Sequence, residues 1–181
     1  EPRRQDREGP TGDGFDDRDQ HLMTLVNPLD ADAWWRQSAV PFQAAIDAGV
    51  WSIMVSCIGL PSLDPSSGDV RNPTPAVVSR PLITEVLRER MGFEGVIVSD
   101  ALNMGGVSYR HRQFDRYRLA LAAGNDVIIF VRGVQATLDY LEGCVERGDL
   151  DADAIDASVR RVLSLKARLG LHQRRMVDEA A

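Results

Sequence analysis

The chain has 181 residues, 44% hydrophobic and 27% charged, and carries a formal net charge of -6. That length suits one domain with a real core rather than two, and the acidic balance argues against a nucleic-acid surface and gives no attraction to anionic membranes. No apolar run approaches the ~20 residues that a bilayer span needs.

Residues 1–20 are charged and glycine-bearing, with almost no apolar side chains, and read as a tail or long loop. They open on Glu1-Pro2-Arg3-Arg4 without an initiator methionine or a signal peptide, so the chain is expected to be trimmed, processed or a piece of something longer. Apolar Leu22, Met23, Leu25 and Val26 then lead to Asn27-Pro28. Asp30 or Asp32 is placed to cap a short helix carrying Trp34 and Trp35. Pro41 suits the first turn of a second helix over 42–48, closed by Gly49. Residues 51–57 read as a buried strand. The loop over 59–75 holds four prolines and is long enough to suggest function. Ser79 is the expected N-cap of the next helix, with Pro81 in its first turn and Leu82, Ile83, Val86 and Leu87 on one face.

Gly92 and Gly95 then turn the chain into Val96-Ile97-Val98, an apolar β-branched run of the kind buried on both faces. Asp100 follows at its carboxyl end. A loop with Gly105-Gly106 leads to a helix over 113–123, ended by Gly124. Residues 126–131 read as a third buried strand and 134–147 as a helix. A last amphipathic helix starts at Asp151 or Asp153 and runs to about Leu169, with Ile155, Val159, Val162, Leu163 and Leu165 on one side. Gly170 stops it and a polar tail follows. Cys57, ending a strand, and Cys144, on a helix, are too few for a disulfide scaffold. Both are expected as free thiols, which favours a reducing, cytoplasmic setting.

Strands alternating with helices predict a parallel sheet with right-handed connections. A complete eight-stranded barrel takes about 250 residues, whereas only three clear strands are legible here. The fold class expected is therefore α/β, a partial (β/α)8 TIM barrel amounting to about its last half. The division is a loop and N-terminal extension over 1–30, the partial barrel over 31–171, and a tail over 172–181. A doubly wound flavodoxin-like sheet is the rival, but the first strand is not followed by a phosphate-binding glycine loop.

Ligands of parallel α/β folds collect at the carboxyl ends of the strands. Asp100 stands there, although an acid after a strand also commonly caps a helix or closes a turn. Asp19 precedes His21 by two residues, and such an acid can orient the imidazole and stabilise its cation. Asp16, Asp17 and Arg18 read as a solvated charge run. His111 and His172 lie in polar surroundings and suggest no specific role.

The string Gly92-Phe93-Glu94-Gly95-Val96-Ile97-Val98-Ser99-Asp100-Ala101-Leu102-Asn103-Met104 resembles the nucleophile segment of glycoside hydrolase family 3, in its hexosaminidase-like members. Gly12-Asp13-Gly14-Phe15-Asp16-Asp17-Arg18-Asp19-Gln20-His21 resembles the loop on which those members carry an Asp-x-His general acid/base. Pro61-Ser62-Leu63-Asp64-Pro65 is similar to the family's P-A-L-D segment, and Ala122-Ala123-Gly124-Asn125-Asp126 to its A-A-G-x-D step into a strand. The resemblance covers most of residues 12–170. It implies a retaining β-glycosidase acting on terminal β-N-acetylhexosaminides, with Asp100 as nucleophile and Asp19 and His21 as acid/base pair. Asp13, Cys57, Asp64 and Met104 fall at substrate-binding positions, Met104 packing beneath the loop. Trp34, Trp35 and Trp51 read as core rather than as sugar platforms.

The resemblance implies a carbohydrate partner, no metal and no organic cofactor. Two departures stand out. Ser56-Cys57-Ile58 replaces a His-bearing G-H-I or A-H-I, and Glu8-Gly9-Pro10-Thr11-Gly12 replaces most of K-H-F-P-G-x-G. With the earlier strands of the family also missing, the alternative is a truncated or degenerate half-barrel that binds sugar or a partner chain without catalysis. Such a half-barrel is expected to self-associate or to pair with the missing N-terminal half.

Overall fold

The computed structural model describes residues 16, 18–69 and 71–173. Helix α1 (Ala31–Arg36) is capped as the sequence predicts: Asp30 accepts a hydrogen bond from the Ala33 N–H. Helix α2 (Ala39–Asp47) starts three residues earlier than expected. Pro41 is then its third residue, where the missing N–H costs nothing.

Strand β1 (Ser52–Val55) pairs in parallel with β2 (Val96–Ser99), in the register Ser52↔Val96 to Val55↔Ser99. β1 is shorter than the predicted 51–57. Beyond Val55 the backbone finds partners outside any ladder: the Val77 N–H donates to the Ser56 carbonyl, the Ala76 N–H to Ile58, and the Gly59 N–H to Leu25. A π-helix (Pro81–Arg90) joins the strands. Its N-cap is Arg80, one residue later than the expected Ser79, although the Ser79 carbonyl accepts from the Ile83 N–H and its hydroxyl from the Leu82 N–H.

The third predicted strand does not form. Residues 126–131 make one parallel bridge, Val98↔Val127. The Ser99 N–H donates to the Val127 carbonyl, and the Asp126 and Val127 N–H groups both reach the Ile97 carbonyl. Phe130 then turns into the left-handed region at φ 56°, where an extended strand cannot continue. Among the described residues nothing pairs with the far edge of this segment, so its β-branched run has no second ladder to straighten it.

Helix α3 (Gly105–Ser108) occupies what reads as a loop, and α4 (Gln113–Ala123), α5 (Val134–Glu146) and α6 (Ala152–Arg168) follow as expected. Asp151 caps α6. The helices and the strand faces close on one core that includes Ile53, Val55, Val77, Ile83, Ile97, Phe93 and Tyr117. Each such side chain contributes about 1.5–3 kcal/mol on burial.

Trp34 lies in the core and Trp35 packs against it, as expected. Trp51 does not: it is 41% exposed, with the Arg168 guanidinium over its ring. Val159 and Leu163 of α6 also face outward. Cys57 and Cys144 are buried free thiols. No described helix is long and apolar enough to cross a membrane.

Candidate active site

Asp100 leaves β2 at its carboxyl end. Its N–H donates to the Val55 carbonyl at 3.0 Å, so the two strand ends fix its backbone. Its Oδ1 accepts from the Ala101 N–H at 2.7 Å. Helix α3 begins after Met104 with no side-chain cap, so Asp100 is not spent as a helix cap. The carboxylate stands near Cys57. Burial first, and the Asp100 charge second, push that thiol far above its ordinary range. Cys57 is thus held as a neutral thiol.

The loop that carries Asp19 and His21 is a hydrogen-bonded turn, with the Leu22 and Met23 N–H groups on the Asp19 carbonyl. The Asp19 Oδ1 lies 2.7 Å from the His21 Nδ1 and also accepts the His21 N–H at 2.9 Å. The side chains are 52% and 70% exposed. A ring held at Nδ1 presents Nε2 on its opposite side, the arrangement a proton donor and acceptor needs.

Backbone contacts seat this turn on the residues just after Asp100. The Gly105 N–H donates to the His21 carbonyl at 2.7 Å, and the Gly106 N–H to the Gln20 carbonyl at 3.3 Å. The Thr24 hydroxyl donates to the Gly106 carbonyl at 2.6 Å.

Asp16 corrects the expectation of a solvated charge run. Its side chain is only 10% exposed. Its carboxylate takes two bonds from the Arg18 guanidinium and one from the Val26 N–H. The Arg18 bonds, with the Val26 N–H helping against the opposing effect of burial, hold its pKa down at about 2.

The remaining expected substrate contacts are placed differently. Asp13 lies outside the described residues, as does Asp17. Asp64 is 1% exposed, and its oxygens accept from the Ser66 N–H, the Ser66 hydroxyl and the Ser79 hydroxyl. It organises the loop over 59–75 from within. Cys57 and Met104 are also buried, Met104 in the core directly before the glycine that holds His21. The structure gives these three side chains packing and hydrogen-bonding work rather than open surface.

Two contributors were not legible in the sequence reading. One is the backbone seat at Gly105 and Gly106, for which the paired glycines were the available signal. The other is Gln20, whose Oε1 is buried with no hydrogen-bond partner among the described residues. A cavity of about 440 Å³ lies elsewhere, at the opposite ends of the strands between Trp51, Gly95 and α6. Asp19, His21 and Asp100 do not line it.

The glycosyl hydrolase family 3 N-terminal domain matches residues 11–165. The chain belongs to glycoside hydrolase family 3. Among family 3 relatives, it is 37% identical over 166 residues to a β-N-acetylglucosaminidase/β-glucosidase of Cellulomonas fimi, covering 90% of this chain and 29% of that protein. It is 30% identical to a β-hexosaminidase of Aromatoleum aromaticum, over 72% of this chain and 35% of that one. Among solved structures, a family 3 β-N-acetylglucosaminidase from a Paenibacillus species superposes with a TM-score of 0.84 at 29% identity, covering 94% of this chain and 32% of the other. A β-glucoside phosphorylase superposes at 0.83 with 31% identity, over 90% and 30%. The chain thus spans about a third of the length of these family 3 proteins.

Proposed function

We propose that this chain is the catalytic part of a retaining β-glycosidase that removes terminal β-N-acetylhexosamine residues. The α/β arrangement is then about the last half of a (β/α)8 barrel, with Asp100 at its mouth. In the first half-reaction the His21 imidazolium, oriented by Asp19, gives its proton to the leaving glycosidic oxygen. The Asp100 carboxylate attacks the anomeric carbon and forms a covalent glycosyl-enzyme. In the second, neutral His21 takes a proton from water, which attacks the same carbon and releases Asp100.

The observation that carries this reading is the seat of the loop. The His21 carbonyl is bonded to Gly105, five residues beyond Asp100, which supports a reading in which both groups serve one site. The hexosaminidase and acetylglucosaminidase names of its relatives support the substrate class. The phosphorylase neighbour favours phosphate as a second acceptor in the release step, which a product assay with and without phosphate distinguishes.

Asp100→Asn is expected to abolish turnover of an aryl N-acetyl-β-glucosaminide while leaving the fold intact by circular dichroism. Retained turnover would remove Asp100 from the mechanism. A second reading, a half-barrel that binds sugar or a partner without chemistry, is favoured by the two-stranded sheet and the burial of Cys57, Asp64 and Met104. It requires sugar binding or association with no turnover by the longest natural polypeptide carrying this sequence.

A further inference from the structure

The proposed mechanism needs the acid/base pair and the nucleophile to keep a fixed separation. They sit on segments about 80 residues apart in sequence, with the pair on an exposed turn. We infer that Gly105, Gly106 and Thr24 form a latch that positions the Asp19–His21 turn against the Asp100 segment, a role that rests on the reading of the reaction given above.

Two N–H groups point from the start of α3 into the turn and meet the carbonyls of Gln20 and His21. The Thr24 hydroxyl closes the arrangement by donating to the Gly106 carbonyl. The other side of the latch is tied to Asp100 by a short tight path, since the Met104 N–H bonds back to the Ala101 carbonyl. Ala101 is in turn held by the Asp100 carboxylate. Three hydrogen bonds, of which one is made by His21 itself, thus connect the turn over 20–24 to the segment that follows Asp100.

Sterics explain why glycine stands at both positions. A Cβ on Gly105 would lie 2.5 Å from the Leu22 carbonyl oxygen, 2.6 Å from the Leu22 carbonyl carbon and 2.8 Å from the His21 carbonyl oxygen. All three are backbone atoms of the turn and cannot swing aside as a flexible side chain would. On Gly106 a Cβ would be tight rather than impossible, at 3.2 Å from the Met23 carbonyl oxygen and 3.3 Å from the Cys57 Cβ. Neither glycine adopts a positive φ. The requirement is therefore close approach of two backbones and not an unusual conformation. This separates the latch from a merely structural glycine: alanine at 105 suits helix α3 better than glycine does, so it should preserve the helix while it expels the loop.

The test uses the longest natural polypeptide carrying this sequence, with Gly105→Ala, Thr24→Val, Thr24→Ser and Asp100→Asn. Amide hydrogen exchange over 18–26 and 104–108 reports the latch, and kcat and KM on an aryl N-acetyl-β-glucosaminide report the positioning. Thr24→Val is expected to speed exchange at Gly105 and Gly106 and to lower kcat about fivefold, the effect of one hydrogen bond, with KM little changed. Thr24→Ser keeps the hydroxyl and should restore both. Gly105→Ala should lower kcat about 100-fold, as a small misplacement of reacting groups does, with unchanged exchange in β1 and β2. If Asp100→Asn is inactive but Thr24→Val and Gly105→Ala keep parental exchange or parental kcat, the latch is wrong and the reaction stands. If Asp100→Asn keeps turnover, or the parent has none, the reaction falls and takes the positioning role with it.

Discussion

At the scale of single residues, Asp16 shows how far a charge run can depart from its appearance. Among neighbouring acids and an arginine it looks solvated, yet its carboxylate anchors the base of the loop through Arg18 and the Val26 N–H. Its pKa falls from 3.8 to about 2 on folding. A depressed folded value means that Asp16 stabilises the loop fully above pH 3.8 and loses that contribution as pH falls through about 2. Exchange of the Val26 amide in the parent should therefore show an acid-sensitive opening between about pH 4 and 2. In Asp16→Asn that step should be absent and the opening already present at neutral pH. An identical pH profile in both would contradict the anchor. Nothing in the sequence distinguished Asp16 from its neighbours, because the Val26 contact spans ten residues and depends on how the loop folds back. The Asp19–His21 pair was legible, since two residues of separation bring those side chains together within one turn.

At the scale of elements, a buried charge cluster clamps the ends of the strands opposite Asp100. The Asp126 side chain is fully buried and accepts from Arg88 at 2.5 Å, from Arg161 at 2.9 Å and from the Ile97 N–H at 2.7 Å. Arg88 also donates to the Phe93 and Gly95 carbonyls. Its pKa is lowered, chiefly by burial, with Asp126 opposing that effect. The cluster ties the π-helix, β2 and α6 together through one carboxylate. Removing it leaves two guanidinium groups and an amide without their partner. Asp126→Ala should therefore cost about 3–5 kcal/mol, seen as a fall in the urea midpoint, and an unchanged midpoint would show the cluster to be unimportant. The helix boundaries were mostly readable because caps are local: Asp30 and Asp151 bond N–H groups within three residues. The strand over 126–131 was misread for the complementary reason. A β-branched run supplies propensity, but a strand needs a ladder, and the neighbour that would complete one is not among the described residues.

At the scale of the whole molecule, a two-stranded parallel sheet leaves apolar surface open. Met54 of β1 is 50% exposed, and Phe130 and Val134 lie outside the core. Parallel sheets are ordinarily covered on both faces, and uncovered apolar area promotes association. Size-exclusion chromatography with light scattering of this chain should therefore give a species larger than a monomer, or one that becomes monomeric only when the strands of the proposed barrel are present. A stable, concentration-independent monomer would argue that these faces are tolerated as they stand.

The sequence by itself determined the family, the alternation of strands and helices, the caps and the adjacency of Asp19 to His21, because each of these depends on residues close together in the chain. Tertiary structure decided which acids are spent on architecture, as Asp64 and Asp126 are, and it seated the His21 backbone on Gly105, five residues beyond Asp100. Those outcomes depend on hydrogen bonds between distant backbones, and a linear pattern of side chains does not encode where such backbones meet.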